Sequence, residues 1–234
     1  LPIYTPQPVD AGKNNIDAMN LEQVSNPKPY QDKVNMVLAS LKTGNFETIK
    51  SVFTTDGFDI FNKLLAYGKA RVLENKEIKI LNFGKSVICR GPKMAFSFAN
   101  STRKFVEDVV FYFDENGKIS SLAFGLDQQA LNSILEKNIW SQAERLTIVT
   151  FLESYKTAYA LKRLDYISSI FADDALIIVG NMVKVKPVAD NPFQNNSIIK
   201  YNRYNKQQYI KNLQHCFASS EYINLKFEDS DIRK

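Results

Sequence analysis

Apolar residues recur at spacings of three and four in two stretches, Val34, Val37, Leu38 and Leu41, and Ile148, Leu152, Tyr155 and Tyr159. That spacing gathers each set onto one face of an α-helix. Each helix runs into a short polar link carrying an aromatic residue, Gly44-Asn45-Phe46 or Arg163-Leu164-Asp165-Tyr166, and then into one of two similar nonapeptides. Residues 49–57 and 167–175 both read I-x-S-V/I-F-x-x-D-G/A, offset by 118 residues. Matched motifs with matched flanks predict an internal repeat.

After the first motif the period changes. Residues 76–83, 86–99, 104–113 and 118–126 are rich in Val, Ile and Phe and read as strands. They are broken at Gly91-Pro92 and at Asp114-Glu115-Asn116-Gly117-Lys118, where Asn-Gly accepts positive φ and suits a hairpin. Helices first and a meandering antiparallel sheet after them make an α+β pattern. Residues 206–218 predict one more helix, and residues 1–24, with prolines at 2, 6 and 8, read as an extended tail.

With the motifs Val52-Phe53-Thr54-Thr55-Asp56-Gly57 and Ile170-Phe171-Ala172-Asp173-Asp174-Ala175 each behind its helix, the chain resembles the NTF2-like superfamily, and most of all its tandem members exported by Bacteroidetes. The resemblance implies two tandem units, residues 25–138 and 139–234, each an N-terminal helix and short helices on a curved antiparallel sheet that forms a cone around a pocket. It bears on localisation, implying an exported protein, as the absence of an initiator Met also would, and supplies no activity. At the repeat offset Lys234 corresponds to position 116, so the second unit is expected to lack its last strands.

Enzymes of that fold hold a carboxylate in an apolar cone, where burial moves its pKa toward neutrality. Glu107 and Asp108 are the candidates here, adjacent on a strand otherwise made of Phe and Val, so alternation points them to opposite faces. Asp56 and Asp174 end their motifs and read as residues that cap backbone N–H groups or fix the turn into the first strand. His215 and Cys216 are consecutive in a helix and diverge by about 100°, which excludes a Cys-His nucleophile. No phosphate loop, nucleophile elbow or metalloprotease motif occurs, and no metal or cofactor is expected.

The chain has 234 residues, a net charge of +5, one His and two Cys without metal-ligand spacing, and no apolar run long enough to span a membrane. Between Asn181 and Lys211 six cations face Asp190 alone, so this insertion carries the whole-chain excess. Within it Lys200, Tyr201, Arg203, Tyr204 and Lys206 interleave cations with tyrosines, a mixture able to stack on flat groups while neutralising acids. Two readings stay open for it, a solvated loop and a binding surface for an acidic glycan or a partner's acidic face, both preferred to nucleic acid. Asn100-Ser101-Thr102 and Asn195-Asn196-Ser197 match the N-glycosylation pattern.

The expected function is therefore a non-catalytic ligand-binding or protein-interaction module. Two alternatives stand beside it: an isomerase or dehydratase using Glu107 or Asp108 on a small molecule, and a structural adaptor that dimerises through its sheets. Cones filled by their own aromatic side chains would favour the adaptor, and an open cone with an inward carboxylate would favour the enzyme.

Overall fold

A computed structural model describes residues 21–74, 77–83, 86–98, 104–135, 139–184 and 197–227. Most of the expected tail, residues 99–103 and 185–196 of the strand and insertion readings, and with them the asparagines of both glycosylation tripeptides, lie outside the described residues. The chain divides into two compact units, Leu1–Leu161 with Asn224–Lys234, and Lys162–Ile223. The repeat marks a boundary at 138/139, whereas compactness marks one at 161/162, because the second periodic helix packs within the first unit.

In the first unit α1 (Lys28–Thr43) buries Val34, Val37 and Leu38, most of the expected stripe, and ends at Gly44. A 3-10 helix (Glu47–Val52) leads into the motif. Phe53 is buried and bridges Ile119 in parallel, and Thr54 then opens α2 (Thr55–Phe61) by accepting a hydrogen bond from the Gly57 N–H at 3.0 Å. The cap is thus Thr54, and Asp56, expected to cap, is exposed in the first turn. The motif glycine has a steric reason: a Cβ on Gly57 would come 2.2 Å from the Ile119 carbonyl oxygen.

The sheet is antiparallel and curled. Its strands are β1 (Arg71–Glu74), β2 (Lys79–Phe83), β3 (Ser86–Arg90), β4 (Lys93–Phe96), β5 (Phe105–Phe113) and β6 (Ile119–Phe124). β5 is the spine, pairing with β4, β3 and β6. From Cys89↔Phe111 to Lys93↔Asp108 the β3–β4 path advances four residues against three on β5, an inserted residue that bends the ladder. The break is Gly91 at φ 122, where a side chain would be strained and would meet the Glu77 carbonyl oxygen at 2.5 Å. β1 lies ahead of the stretch that alternation marks as strand. The Asp114–Lys118 hairpin forms as expected, its Asp114 carboxylate accepting from the Asn116 and Lys118 N–H groups.

Aromatic rings fill the first unit. Phe61, Phe96, Phe98, Phe111, Phe113 and Phe124 are all below 2% or at 2% exposure, and Phe96 meets Phe124 edge-on at 5.0 Å while Phe53 packs on Phe61 at 5.3 Å. α3 (Gln128–Leu135) and α4 (Gln142–Ala160) follow, the latter started by a Ser141/Glu144 capping box. Ile148 and Leu152 of the expected apolar stripe pack, half-buried, on the α3 cluster of Leu126, Leu131 and Ile134. Tyr159 of that stripe is buried, as is Val149 within the same cluster, and the buried residues of α4 also include the polar Glu153, Lys156 and Thr157.

The second unit consists of α5 (Leu164–Ile170), β7 (Leu176–Lys184), β8 (Ser197–Asn205) and α6 (Lys206–Ser219). Its buried apolar residues, among those described, are Ile167, Leu213 and Phe217. So small a core leaves the nine-residue ribbon of β7 and β8 poorly covered, since a lone two-stranded ribbon is marginal in water. The basic tyrosine segment, expected to be a loop, is strand β8. Equivalent motif positions predict equal burial, but Phe171, unlike Phe53, is only half-buried, against Tyr209 at 5.5 Å.

Phe53→Ala is accordingly expected to cost about 3–5 kcal/mol, and Phe171→Ala only about 1 kcal/mol. Urea unfolding of the full chain, followed by amide NMR signals from each unit, measures both; equal losses would show that burial does not separate the two motifs.

Candidate functional site

Glu107 and Asp108 lie on opposite faces of β5, as alternation requires, opposite Met94 and Lys93 of β4 respectively. Glu107 is 5% exposed, and its carboxylate accepts a hydrogen bond from Lys156 Nζ at 2.5 Å. The same ammonium donates to the Gly125 carbonyl at 3.0 Å. Asp108 is half-buried, and its backbone carbonyl accepts from the Gly125 N–H at 2.7 Å.

One turn earlier on α4, Glu153 is completely buried and takes a two-pronged contact from Arg90, at 2.9 Å from Nη1 and 2.7 Å from Nη2. Its carboxylate also accepts from the Leu126 N–H at 3.1 Å and lies 3.4 Å from the Tyr112 hydroxyl. Thr157 Oγ1 completes the row, donating to the Glu153 carbonyl at 2.7 Å and accepting from the Phe124 N–H at 2.9 Å. One helical face thus holds β3, β5, β6 and the chain just after β6 through two ion pairs and a hydroxyl relay.

Burial shifts these groups in definite directions. Desolvation raises the Glu107 carboxyl above its ordinary value, with the Lys156 charge opposing. It also raises the Tyr112 phenol, assisted by the neighbouring Glu153 carboxylate. For Arg90 desolvation acts against the charge, but the Glu153 carboxylate outweighs it, and the guanidinium is held charged. Each carboxylate therefore has a cationic partner and is shielded from solvent. The arrangement clamps helix to sheet.

The residues expected in a binding segment are parted by strand geometry. Direct partners share a face and faces alternate along a strand. Gly180↔Tyr201 and Ile178↔Arg203 put Tyr201 and Arg203 with Leu176, Met182 and Ile199 on one face of the β7–β8 ribbon. Lys200 and Tyr204 fall on the other face with Ile177 and Val179. Lys206 has left the strand: it begins α6, behind an Asn205/Gln208 capping box, and pairs with Asp173 at 2.7 Å. That hydrogen bond lowers the Asp173 pKa. Asp174 is exposed in the turn before β7 and caps no helix.

The first face is open. Its Leu176, Ile178, Met182, Ile199 and Tyr201 are between 54% (Ile178, Ile199) and 75% (Met182) exposed. Gly180 lies at its centre with the Ile199 and Tyr201 side chains leaning across it, 2.9 and 3.3 Å from where a Cβ would stand. β7 and β8 carry Lys184, Lys200 and Arg203 and no acidic residue.

Sequence reasoning missed the Arg90, Glu153, Lys156 and Thr157 set. The signal was present: Val149, Glu153, Lys156 and Thr157 are spaced as one helical face, and Arg90 and the Glu107-Asp108 pair are the charges that adjoin apolar strand runs. Charges of opposite sign placed in elements that must be buried point to mutual pairing. Cys89 is buried and Cys216 exposed, both as free thiols. His215 is exposed beside Cys216. Among the described residues no group of acids, His and Cys is placed to hold a metal, and no helix is long and apolar enough to cross a membrane. Compared with family models, curated proteins and solved structures, the chain shows no match.

Glu153→Ala is expected to cost about 3–5 kcal/mol, because it leaves the Arg90 charge buried without its partner. The pH dependence separates the second pair. With its carboxyl raised in the folded state, Glu107 contributes stability that is present below its ordinary value of 4.5 and is lost as pH rises through the raised value. Glu107→Gln should therefore flatten the decline of the urea midpoint above that pH. The acid limb should persist in the variant, because the lowered carboxyls of Asp165 and Asp173 lose their contribution only as pH falls below their ordinary value of 3.8. An unchanged slope above pH 4.5 would contradict the assignment.

Proposed function

We propose that the chain is a non-catalytic protein-interaction module of an exported protein, and that it docks a partner on the open face of the β7–β8 ribbon. The observation that carries this reading is the contiguous exposed row Leu176, Ile178, Met182, Ile199 and Tyr201, with Arg203 at its edge. Exposed apolar patches of this kind mark interaction sites, and Tyr and Arg are the residues most often found at their energetic centres. With three cations and no acid on these strands, the fitting partner offers an apolar surface bordered by carboxylates.

The enzyme reading loses its means, since Glu107 is engaged by Lys156 and the first unit is packed with its own phenylalanines. The tandem NTF2-like assignment is supported by the order of helix, motif and curled sheet in the first unit and by the second motif at the head of the ribbon. Export rests on that resemblance.

The test is a photo-crosslinking side chain at Met182 of the full chain, in its source cells, with the same group at Met36 of α1 as control. A discrete protein adduct at position 182 alone, reduced at least about tenfold by Arg203→Glu, is the expected result. Equal adducts from both positions, or none, would overturn the proposal. Binding of polygalacturonate that requires Arg203, without a protein adduct, would instead make the surface a glycan site.

A further inference from the structure

β7 and β8 form a two-stranded sheet, and among the described residues no strand pairs with the outer edge of either. We infer that a second copy of the chain occupies the outer edge of β7, pairing antiparallel about Gly180 so that two ribbons make one four-stranded sheet. This edge is distinct from the open face of the ribbon, and its pairing does not depend on another protein docked there.

The two strands are built for different places in a sheet. Strands that stay at an edge carry charged side chains that discourage pairing with another chain. β8 has that pattern, with Lys200 and Arg203 on its opposite faces among Tyr201, Asn202 and Tyr204. β7 lacks it. From Leu176 to Val183 it reads Leu-Ile-Ile-Val-Gly-Asn-Met-Val, without a charge or a proline, the composition of a strand with neighbours on both sides. Its one charged residue is Lys184, at the end. Left as an edge, a strand of nine such residues is a template for a further strand, and a two-stranded ribbon gains independent stability only when more strands join it.

β7 also complements itself. Antiparallel pairing about Gly180 sets Ile178 against Met182, Ile177 against Val183 and Val179 against Asn181 of the other copy, each twice by symmetry. Ile178 and Met182 are 54% and 75% exposed in the single chain, so their contact across the join removes apolar surface from water. The two Lys184 positions fall at opposite ends of the join, about 27 Å apart. Gly180 suits the centre, because the Ile199 and Tyr201 side chains of each ribbon lean over its own glycine and together cover the glycine pair from both flanks. The β8 strands then lie outermost, about 14 Å apart and beyond the screening length of about 8 Å at physiological salt. Pairing through β8 about Tyr201 would instead bring Lys200 and Arg203 of both copies onto adjacent strands, where like charges oppose association.

Sedimentation equilibrium of the purified full chain, with no other protein present, is expected to show a monomer–dimer equilibrium. Ile178→Lys with Met182→Lys places like charges directly opposite one another at both symmetric positions and should raise the dimer dissociation constant at least about tenfold. Both residues are exposed, so the circular dichroism of that variant should match the wild type. Arg203→Glu, which removes docking on the open face, should leave the dimer in place, so the two readings fail separately. Cysteines read the register. In a Cys216→Ser background, Ile178→Cys with Met182→Cys should give disulfide-linked dimers under mild oxidation, since directly opposed residues have Cα atoms about 5 Å apart. Neither substitution alone should bridge, because like positions of the two copies lie about 14 Å apart along the join. A chain that stays monomeric at every concentration, a dimer untouched by the two lysine substitutions, bridging by either cysteine alone, or no bridging by the two together would each overturn the inference.

Discussion

The first unit depends on one contact surface, the polar face of α4 set into a sheet that is otherwise apolar. Glu153, Lys156 and Thr157 satisfy Arg90, Glu107 and the backbone groups of Phe124, Gly125 and Leu126. Each of these would be costly if buried alone. A hydrophobic face could have packed there with comparable net stability, because desolvation consumes much of what a buried ion pair returns. What the charged face adds is direction: with fixed cations and anions on the sheet, a one-turn slip of α4 would leave several of them unpaired at once.

That constraint also gives the carboxylate buried inside the aromatic-rich α+β unit a partner within the fold. Glu107 has the burial that raises the pKa of carboxyls in apolar cavities, and the Lys156 ammonium stands 2.5 Å from it. The second unit inverts the balance. It buries few large side chains and leaves a row of them on a ribbon exposed, so its unspent apolar surface, rather than its titratable groups, is where association would lower the free energy.

Sequence pattern made the architecture legible wherever one physical rule dominated. Three-and-four spacing located α1 and α4, and alternation placed Glu107 and Asp108 on opposite faces. The hairpin at Asn116-Gly117 and the break at Gly91 followed from backbone sterics. Legibility failed where two rules competed. On α4 the apolar stripe of Ile148 and Leu152 is real, but it packs on α3, while the side facing the sheet is polar because the sheet carries Arg90 and Glu107. Interleaved cations and tyrosines suggested one surface in the basic segment. A strand period of two divides Tyr201 and Arg203 from Lys200 and Tyr204, and a capping box takes Lys206 into a helix. At the motif, Thr54 outcompeted Asp56 for the cap because it precedes the helix, whereas Asp56 is already inside it.

The central claim is that the polar face of α4 is a structural clamp formed throughout the folded state. Amide hydrogen exchange at Phe124 and Leu126 reads it directly, because their N–H groups are held by Thr157 and Glu153 side chains rather than by a neighbouring strand. If α4 is the clamp, both amides exchange only when the first unit unfolds as a whole, with the same free energy as the central amides of β5. Exchange at those two positions through local opening, with β5 still protected, would show that the helix leaves the sheet readily and would contradict the account.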